Sequence, residues 1–175
     1  MKFENDILII DFEGLKKPVQ FGAILLDKET LEEKDSFVSY IYADLDGYVS
    51  PVSGISQETI NNAPKQAEVG KIVYEKFGSE VILSSFAQNL DISHFQTIIA
   101  AAGIDFLESK TDFKKYDFRI LDIWPIAYVH ALKNGYTGGI KSEEIFQYFG
   151  STPRKLHDAL EDCKIAGDVL RKIVL

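Results

Sequence analysis

Four consecutive apolar residues, Ile7-Leu8-Ile9-Ile10, begin the regular pattern of this chain. A short unbroken run of β-formers predicts a strand buried on both faces, near the middle of a sheet. Residues 20–27 and 36–42 predict two more strands, and the polar segment Lys28 to Asp35 predicts their connection. The first part of the chain therefore reads as an antiparallel three-stranded meander. From Ser53 to Pro64 the pattern turns polar and irregular, with Ser56 placed to cap a short helix. After Pro64, Val69, Ile72, Val73 and Phe77 recur at helical spacing, and Gly78 fits the helix end. Residues 81–84 predict a short buried strand. Ile92, Phe95, Ile99 and Ala102 predict one face of a helix that stops at Gly103. Residues 104–117 show no period and read as loop, residues 118–121 predict a last strand, and helices are expected at 123–133 and 142–149. The clearest helix comes last, where Ala159, Cys163, Ala166, Leu170 and Ile173 form one apolar stripe.

This order predicts an α/β fold. Three antiparallel strands are followed by alternating helices and strands, giving a mixed sheet flanked by helices. No linker-like stretch divides residues 1–175, so one domain is expected. A single cysteine, Cys163, excludes an internal disulfide, and with no signal-like N-terminus it points to the cytoplasm. No apolar run is long enough to span a membrane.

The carboxylates change this picture most. Asp11 and Glu13 follow the first buried strand directly, and side chains two apart on a strand point the same way. Strand ends are where α/β folds place much of their chemistry, although turn and cap roles suit an Asp there as well. Asp91 opens the helix of Ile92 to Ala102, either as an N-cap or as a third convergent carboxylate. His157 and Asp162 bracket the start of the last helix. Inside a helix, five residues would set them about 140° apart, so they converge only if His157 precedes the first turn. Asp158 and Glu161 compete with Asp162 for the same role. As a set, these groups suit one chemistry. Hard divalent cations prefer oxygen ligands, two such ions clamp an in-line displacement at phosphorus, and a near-neutral His can take a proton from water.

The residues also resemble a known family, the DEDDh (DnaQ-like) exonucleases of the ribonuclease H-like fold. The family's Asp-x-Glu after a buried strand is matched by Asp11-Phe12-Glu13, and its Gly-Ala strand by Gly22-Ala23. A Gly-Ile-Thr-like segment is matched by Gly54-Ile55-Ser56, the second motif by Asp91, and the His-x4-Asp motif by His157 to Asp162 within HDALEDC. The resemblance covers nearly the whole chain in order. It implies metal-dependent 3′→5′ hydrolysis of DNA or RNA, with Asp11, Glu13, Asp91 and Asp162 as ligands of two divalent ions, Mg²⁺ or Mn²⁺. His157 is then the general base. Phe12, Gly54, Ile55 and Ser56 are the implied contacts to the terminal nucleotide, with Phe12 equally suited to the core.

Several surroundings depart from the family pattern. Glu13 is followed by Gly14-Leu15 rather than Thr-Thr-Gly, Asp91 lacks a preceding His-Asn pair, and Ser53 replaces a His. The five catalytic positions are intact, so activity is expected, while the hold on the terminal nucleotide is open. His94 fits a solvated helix face rather than a stray ligand, His130 a packed or surface position, Trp124 the core, and Lys16, Lys17, Arg154 and Lys155 fit either phosphate steering or ordinary surface.

Net charge bears on the substrate. At 19 − 27 = −8, the chain lacks the broad basic face that coats nucleic acid, and two bound divalent ions would move this to about −4. Single-stranded or frayed 3′ ends are the expected partners. A protein partner in replication, repair or RNA processing could add affinity. The alternative is a non-catalytic auxiliary module with the same fold.

Overall fold

The run Ile7 to Ile10 is the centre of the molecule. In a computed structural model of the protein, which describes residues 2–47, 52–104, 116 and 120–175, this run forms β1 (Ile7–Glu13). It is followed by β2 (Gln20–Leu26), β3 (Glu33–Tyr40), α1 (Gln57–Ile60), α2 (Gln66–Phe77), β4 (Ile82–Ser85), α3 (Gln88–Ala101), β5 (Leu121–Asp122), α4 (Ile123–Lys133), α5 (Ser142–Tyr148) and α6 (Ala159–Val174). The sheet order is β3-β2-β1-β4-β5. The pairs β1–β2 and β2–β3 are antiparallel; β1–β4 and β4–β5 are parallel. This is the mixed, ribonuclease H-like sheet expected from the sequence.

Alternation along β1 builds two cores. Leu8, Ile10 and Phe12 face the layer formed by α2 and α3. Ile7 and Ile9 face the layer formed by α4, α5 and α6. Period-two alternation on a strand covered on both sides needs apolar residues at every position, which is why the run is unbroken.

The structure shifts several elements from their expected bounds. β3 starts at Glu33 rather than at 36. Asp27 accepts backbone N–H bonds from Glu29 and Thr30, both at 2.9 Å, and so tightens the turn before it. β3 is an edge strand with no fully buried residue, so its polar first residues carry no apolar signal. α3 begins at Gln88, three residues before Asp91. In α2, Ile72 is exposed at 41% and lies off the buried face. Gly70 takes that face instead, because a Cβ there would come within 2.1 Å of the Ile98 carbonyl oxygen on α3. The predicted strand at 118–121 is observed only as β5, and residues 117–119 lie outside the described set. Of the predicted loop at 104–117, only residues 104 and 116 are described. Trp124 is half-buried, donating to the Ile140 carbonyl at 3.1 Å and stacked on Tyr128. His130 is likewise half-buried, its ring against Phe149. Among the described residues, no helix is long and apolar enough to cross a membrane.

Candidate active site

Asp11 and Glu13 continue the Ile7–Ile9 side of β1 beyond its apolar part and so emerge beneath the N-terminus of α6. The close approach of α6 depends on Gly22, paired with Asp11 on the next strand. A Cβ at Gly22 would lie 2.3–2.5 Å from backbone atoms of Ala159 and Leu160. The Gly22 carbonyl also accepts from the buried Cys163 thiol at 3.3 Å. Burial, followed by the negative charges of Asp11, Asp91 and Asp158, pushes that thiol well up, so Cys163 is a packing residue.

Asp158 settles the competition at the helix start. It is the N-cap of α6, accepting from the Leu160 and Glu161 amides at 3.1 and 3.2 Å. Gln20 holds its other oxygen at 2.8 Å and accepts from the Ala159 amide at 3.2 Å. Glu161 points to solvent and pairs with Lys164. Asp162, one turn into the helix, is 8% exposed and faces the site. His157 lies before the cap, where its backbone N–H donates to the Val52 carbonyl at 3.0 Å. Because the chain is no longer helical there, the ring turns back, with Nδ1 3.7 Å from Asp162 Oδ2. One ligand atom from each of Glu13, His157 and Asp162 lies within 4.8 Å of the others.

Asp91 arrives from the opposite layer. It sits in the first turn of α3 rather than at its cap and is 7% exposed. Its carboxyl is pushed up to about 7 by burial, an effect only partly offset by the nearby Ser85 hydroxyl and the Phe12 backbone amide. Asp11 is raised well above the usual carboxylate range, first by removal from water, then by the charges of Asp91 and Glu13. Burial raises Glu13 to about 7. His157 is lowered by burial and by the Arg154 charge, which favours the neutral ring. Three acids that resist ionising together, of which Glu13 belongs to the close group with His157 and Asp162 while Asp11 and Asp91 stand outside it, form a donor set that fits divalent cations.

This electrostatics has a measurable sign. In an unfolded chain these acids titrate near about 4, and in the fold Glu13 and Asp91 titrate near 7. Between about pH 4 and 7 the folded state keeps protons that the unfolded state has released, so these groups lower stability as pH rises across that window. A bound cation needs the deprotonated forms. The Mg²⁺-induced rise in Tm should therefore be small at pH 5, grow towards pH 7 and level off above it. A rise that is flat across this range, or that shrinks, contradicts the arrangement.

The remaining expectations divide. The Phe12 ring points away from the carboxylates, 6% exposed and 4.9 Å from the Phe21 ring, so its side chain belongs to the core. Ile55 is buried and lines a cavity of about 350 Å³ next to Glu13, with Leu15, Val19, Leu45, Lys16 and Lys17. Ser56 caps α1 through the Thr59 amide. Gly54, at φ +71°, lies beside Leu156. His94 is not on a solvated face: it is 6% exposed, its Nε2 is 2.9 Å from the Gly14 carbonyl oxygen, and it borders the Phe12 ring. Arg154 is likewise no surface cation, since it pairs with Glu143 and Asp162.

Two contributors were missed in the sequence. Gln20 reaches the site only because the β1–β2 register sets it opposite Glu13. Replacing it with Leu strands the buried side of the Asp158 cap and should cost about 1–3 kcal/mol in urea unfolding; a loss under a few tenths would discount the bond. Asp122 ends β5 opposite Ser85, and its negative charge adds a smaller push to the upward shift of Asp91. Its signal, an acid directly after an apolar run, matched that of Asp11.

A family model described as "Exonuclease" (RNase_T) matches residues 8–170. Among solved structures, the chain is similar to a 3′-exonuclease described in 3′-end-specific recognition of a histone mRNA stem-loop. That match has a TM-score of 0.69 and 18% identity, and covers 98% of this chain and 64% of that one. It is also similar to the zinc-bound E. coli exonuclease I complex with single-stranded DNA, at a TM-score of 0.74 and 17% identity over 97% of this chain and 40% of that one. A full-length 3′-exonuclease matches at a TM-score of 0.63 and 19% identity, covering 97% of this chain and 81% of that one. The chain thus spans less than two thirds of the first two structures. No curated protein matches the sequence.

Proposed function

Because the chain belongs to the exonuclease family whose model spans residues 8–170, we propose that it is a 3′→5′ exonuclease that hydrolyses phosphodiester bonds of DNA or RNA and releases nucleoside monophosphates. The observation that carries this reading is the meeting of Glu13, His157 and Asp162 within 4.8 Å, with the charges of Asp91 and Glu13 close enough to Asp11 to help raise its carboxyl.

Asp11, Glu13, Asp91 and Asp162 are the residues that would hold two divalent ions, Mg²⁺ or Mn²⁺. Bound there, such ions supply Lewis acidity at phosphorus and make a bound water acidic. His157 acts as general base: it is neutral near physiological pH, and with Nδ1 towards Asp162 its Nε2 is left to take the proton of the attacking water. The water oxygen bonds to phosphorus, the bond from phosphorus to the 3′-oxygen of the preceding nucleotide breaks, and that oxygen leaves with the bonding pair and takes a proton from solvent water to become the new 3′-hydroxyl. The cavity next to Glu13 takes the terminal nucleoside. Its wall is formed by Leu15, Val19, Leu45 and Ile55, with Asp44 and Asp46 on the same lining; Lys16 stands beside it for the phosphates, while Lys17 donates to the Asp44 carbonyl at 2.6 Å. In this reading Gly54 provides room beside Leu156, and Ser56 supports Ile55 by capping α1 rather than by touching substrate.

The neighbouring folds include a single-stranded DNA complex and a histone mRNA stem-loop complex, so either sugar is chemically open to this one. The test uses a 5′-labelled single-stranded oligonucleotide, as DNA and as RNA, with Mg²⁺, Mn²⁺ or EDTA, and Asp162→Asn as control. A metal-dependent ladder shortening from the 3′ end, absent with the variant, supports the reading and identifies the sugar. No cleavage of either polymer with either metal overturns it in favour of a non-catalytic module.

A further inference from the structure

One cation is built into this ring of acids. The Arg154 side chain is 11% exposed, and each of its three guanidinium nitrogens donates to a carboxylate. Nε and Nη2 both donate to Glu143 Oε2 on α5, at 2.9 and 2.7 Å. The face of the group lies over the Phe146 ring, 5.1 Å from its centroid. Nη1 is left to donate to Asp162 Oδ1. A buried charge of this kind is held by its partners rather than by water, and a forked arginine keeps its plane when one contact is lost.

From this geometry we propose that Arg154 is a positioning residue whose guanidinium stands in as the counter-cation of Asp162 in the metal-free protein and yields that carboxylate when a divalent ion binds. The inference rests on the metal-site reading above and extends it to how the site is loaded. Glu143 and Phe146 make the exchange reversible. They hold Nε, Nη2 and the ring plane, so losing Asp162 frees only Nη1, and the arginine stays beside the site. The positive charge of Arg154 also reaches Asp11 and Glu13, where it opposes their mutual repulsion. Without it, four acids would face one another with no internal cation among the described residues; with it, any incoming metal must displace a competitor from one of its ligands. The consequence is a site tuned to bind metal less tightly than its carboxylates allow, in exchange for being ordered before metal arrives.

The test is isothermal titration of Mn²⁺ into the metal-free wild type, Arg154→Gln and Arg154→Lys, each checked by circular dichroism and thermal unfolding. Arg154→Gln should bind Mn²⁺ about tenfold more tightly, a difference that titration resolves readily. It should also have a lower metal-free Tm that Mn²⁺ restores. Arg154→Lys keeps the charge but not the fork, and should fall between the two. Unchanged or weaker Mn²⁺ binding by a folded Arg154→Gln overturns the inference and leaves the metal reading standing. No Mn²⁺ binding by the wild type overturns both. A second measurement needs no variant: ¹⁵N resonances of the Arg154 side chain followed in the wild type during Mg²⁺ titration. The Nη signals should change on saturation while Nε, held by Glu143, stays in place. Nη signals that do not move at saturating Mg²⁺ sink the inference even if the variants fail to fold.

Discussion

Asp11→Asn should eliminate metal-dependent cleavage, with a fall of about 10³-fold or more, while making the metal-free protein more stable. The activity loss follows from removing a charge that lies among the other site acids, Glu13 and Asp91. Deleting one group that stabilises transition-state charge costs about 10²–10³ in turnover, and under the proposed function Asp11 is a metal ligand, whose loss removes more than one such interaction. The stability gain follows from the same crowding. Burial and two neighbouring acids oppose the Asp11 charge, and asparagine keeps the volume without it. Opposite movement of activity and stability is what a strained functional site shows. Cleavage would be followed with a labelled oligonucleotide, stability by urea unfolding in EDTA. A variant that loses activity by unfolding, or one that keeps more than about a tenth of it, contradicts the role assigned to Asp11.

Gly22→Val should be the most damaging change outside the acids. Even a Cβ would lie 2.3 Å from the Ala159 backbone carbon, and the atoms it meets are main chain on α6, which cannot rotate away. Overpacking a close contact commonly costs about 1–3 kcal/mol, and a rigid backbone neighbour places Val at or beyond the upper end. The damage does not stop at stability. α6 carries Asp162, and Asp158 at its cap is tied to Gln20 on β2. Lifting the helix by about 1 Å would separate Asp162 from Glu13 and His157, and misplacement of that size can cost about 10² in rate. Gly22→Ala should fall between Val and wild type in both Tm and activity. If Gly22→Val unfolds at the wild-type urea concentration and cleaves at the wild-type rate, α6 does not sit where described.

How much of this was visible in the sequence depends on which force fixed each residue. The hydrophobic pattern placed β2, α4 and α6 nearly to the residue, because each presents a full apolar face to a core, but it ended the first strand at Ile10, three residues short of Glu13, because the apolar run stops where the carboxylates begin. It misplaced the start of β3, an edge strand whose order comes from backbone pairing and from the Asp27 turn. It counted Ile72 as core, because periodicity cannot see that α2 and α3 approach closely enough for only Gly70 to fit between them. His94 looked like an exposed helix residue, yet it is buried against Phe12 and Gly14, residues distant in the chain. Arg154 looked like one of several surface cations, and only the fold shows that it is paired inside the site.

The sequence by itself determined the α/β class, the central strand, and an Asp-x-Glu, an Asp and a His-x4-Asp in an order resembling one family. These follow from local pattern and spacing, which the chain carries wherever it folds. Tertiary structure decided which of Asp158, Glu161 and Asp162 faces the acids, that His157 turns back beside Asp162, and that Gln20, Glu143 and Arg154 surround them. Those choices depend on register, on the approach of α6 over Gly22 and on the loops at residues 52–54 and 150–157. Each is set by contacts between residues far apart in sequence, where no period or motif reaches.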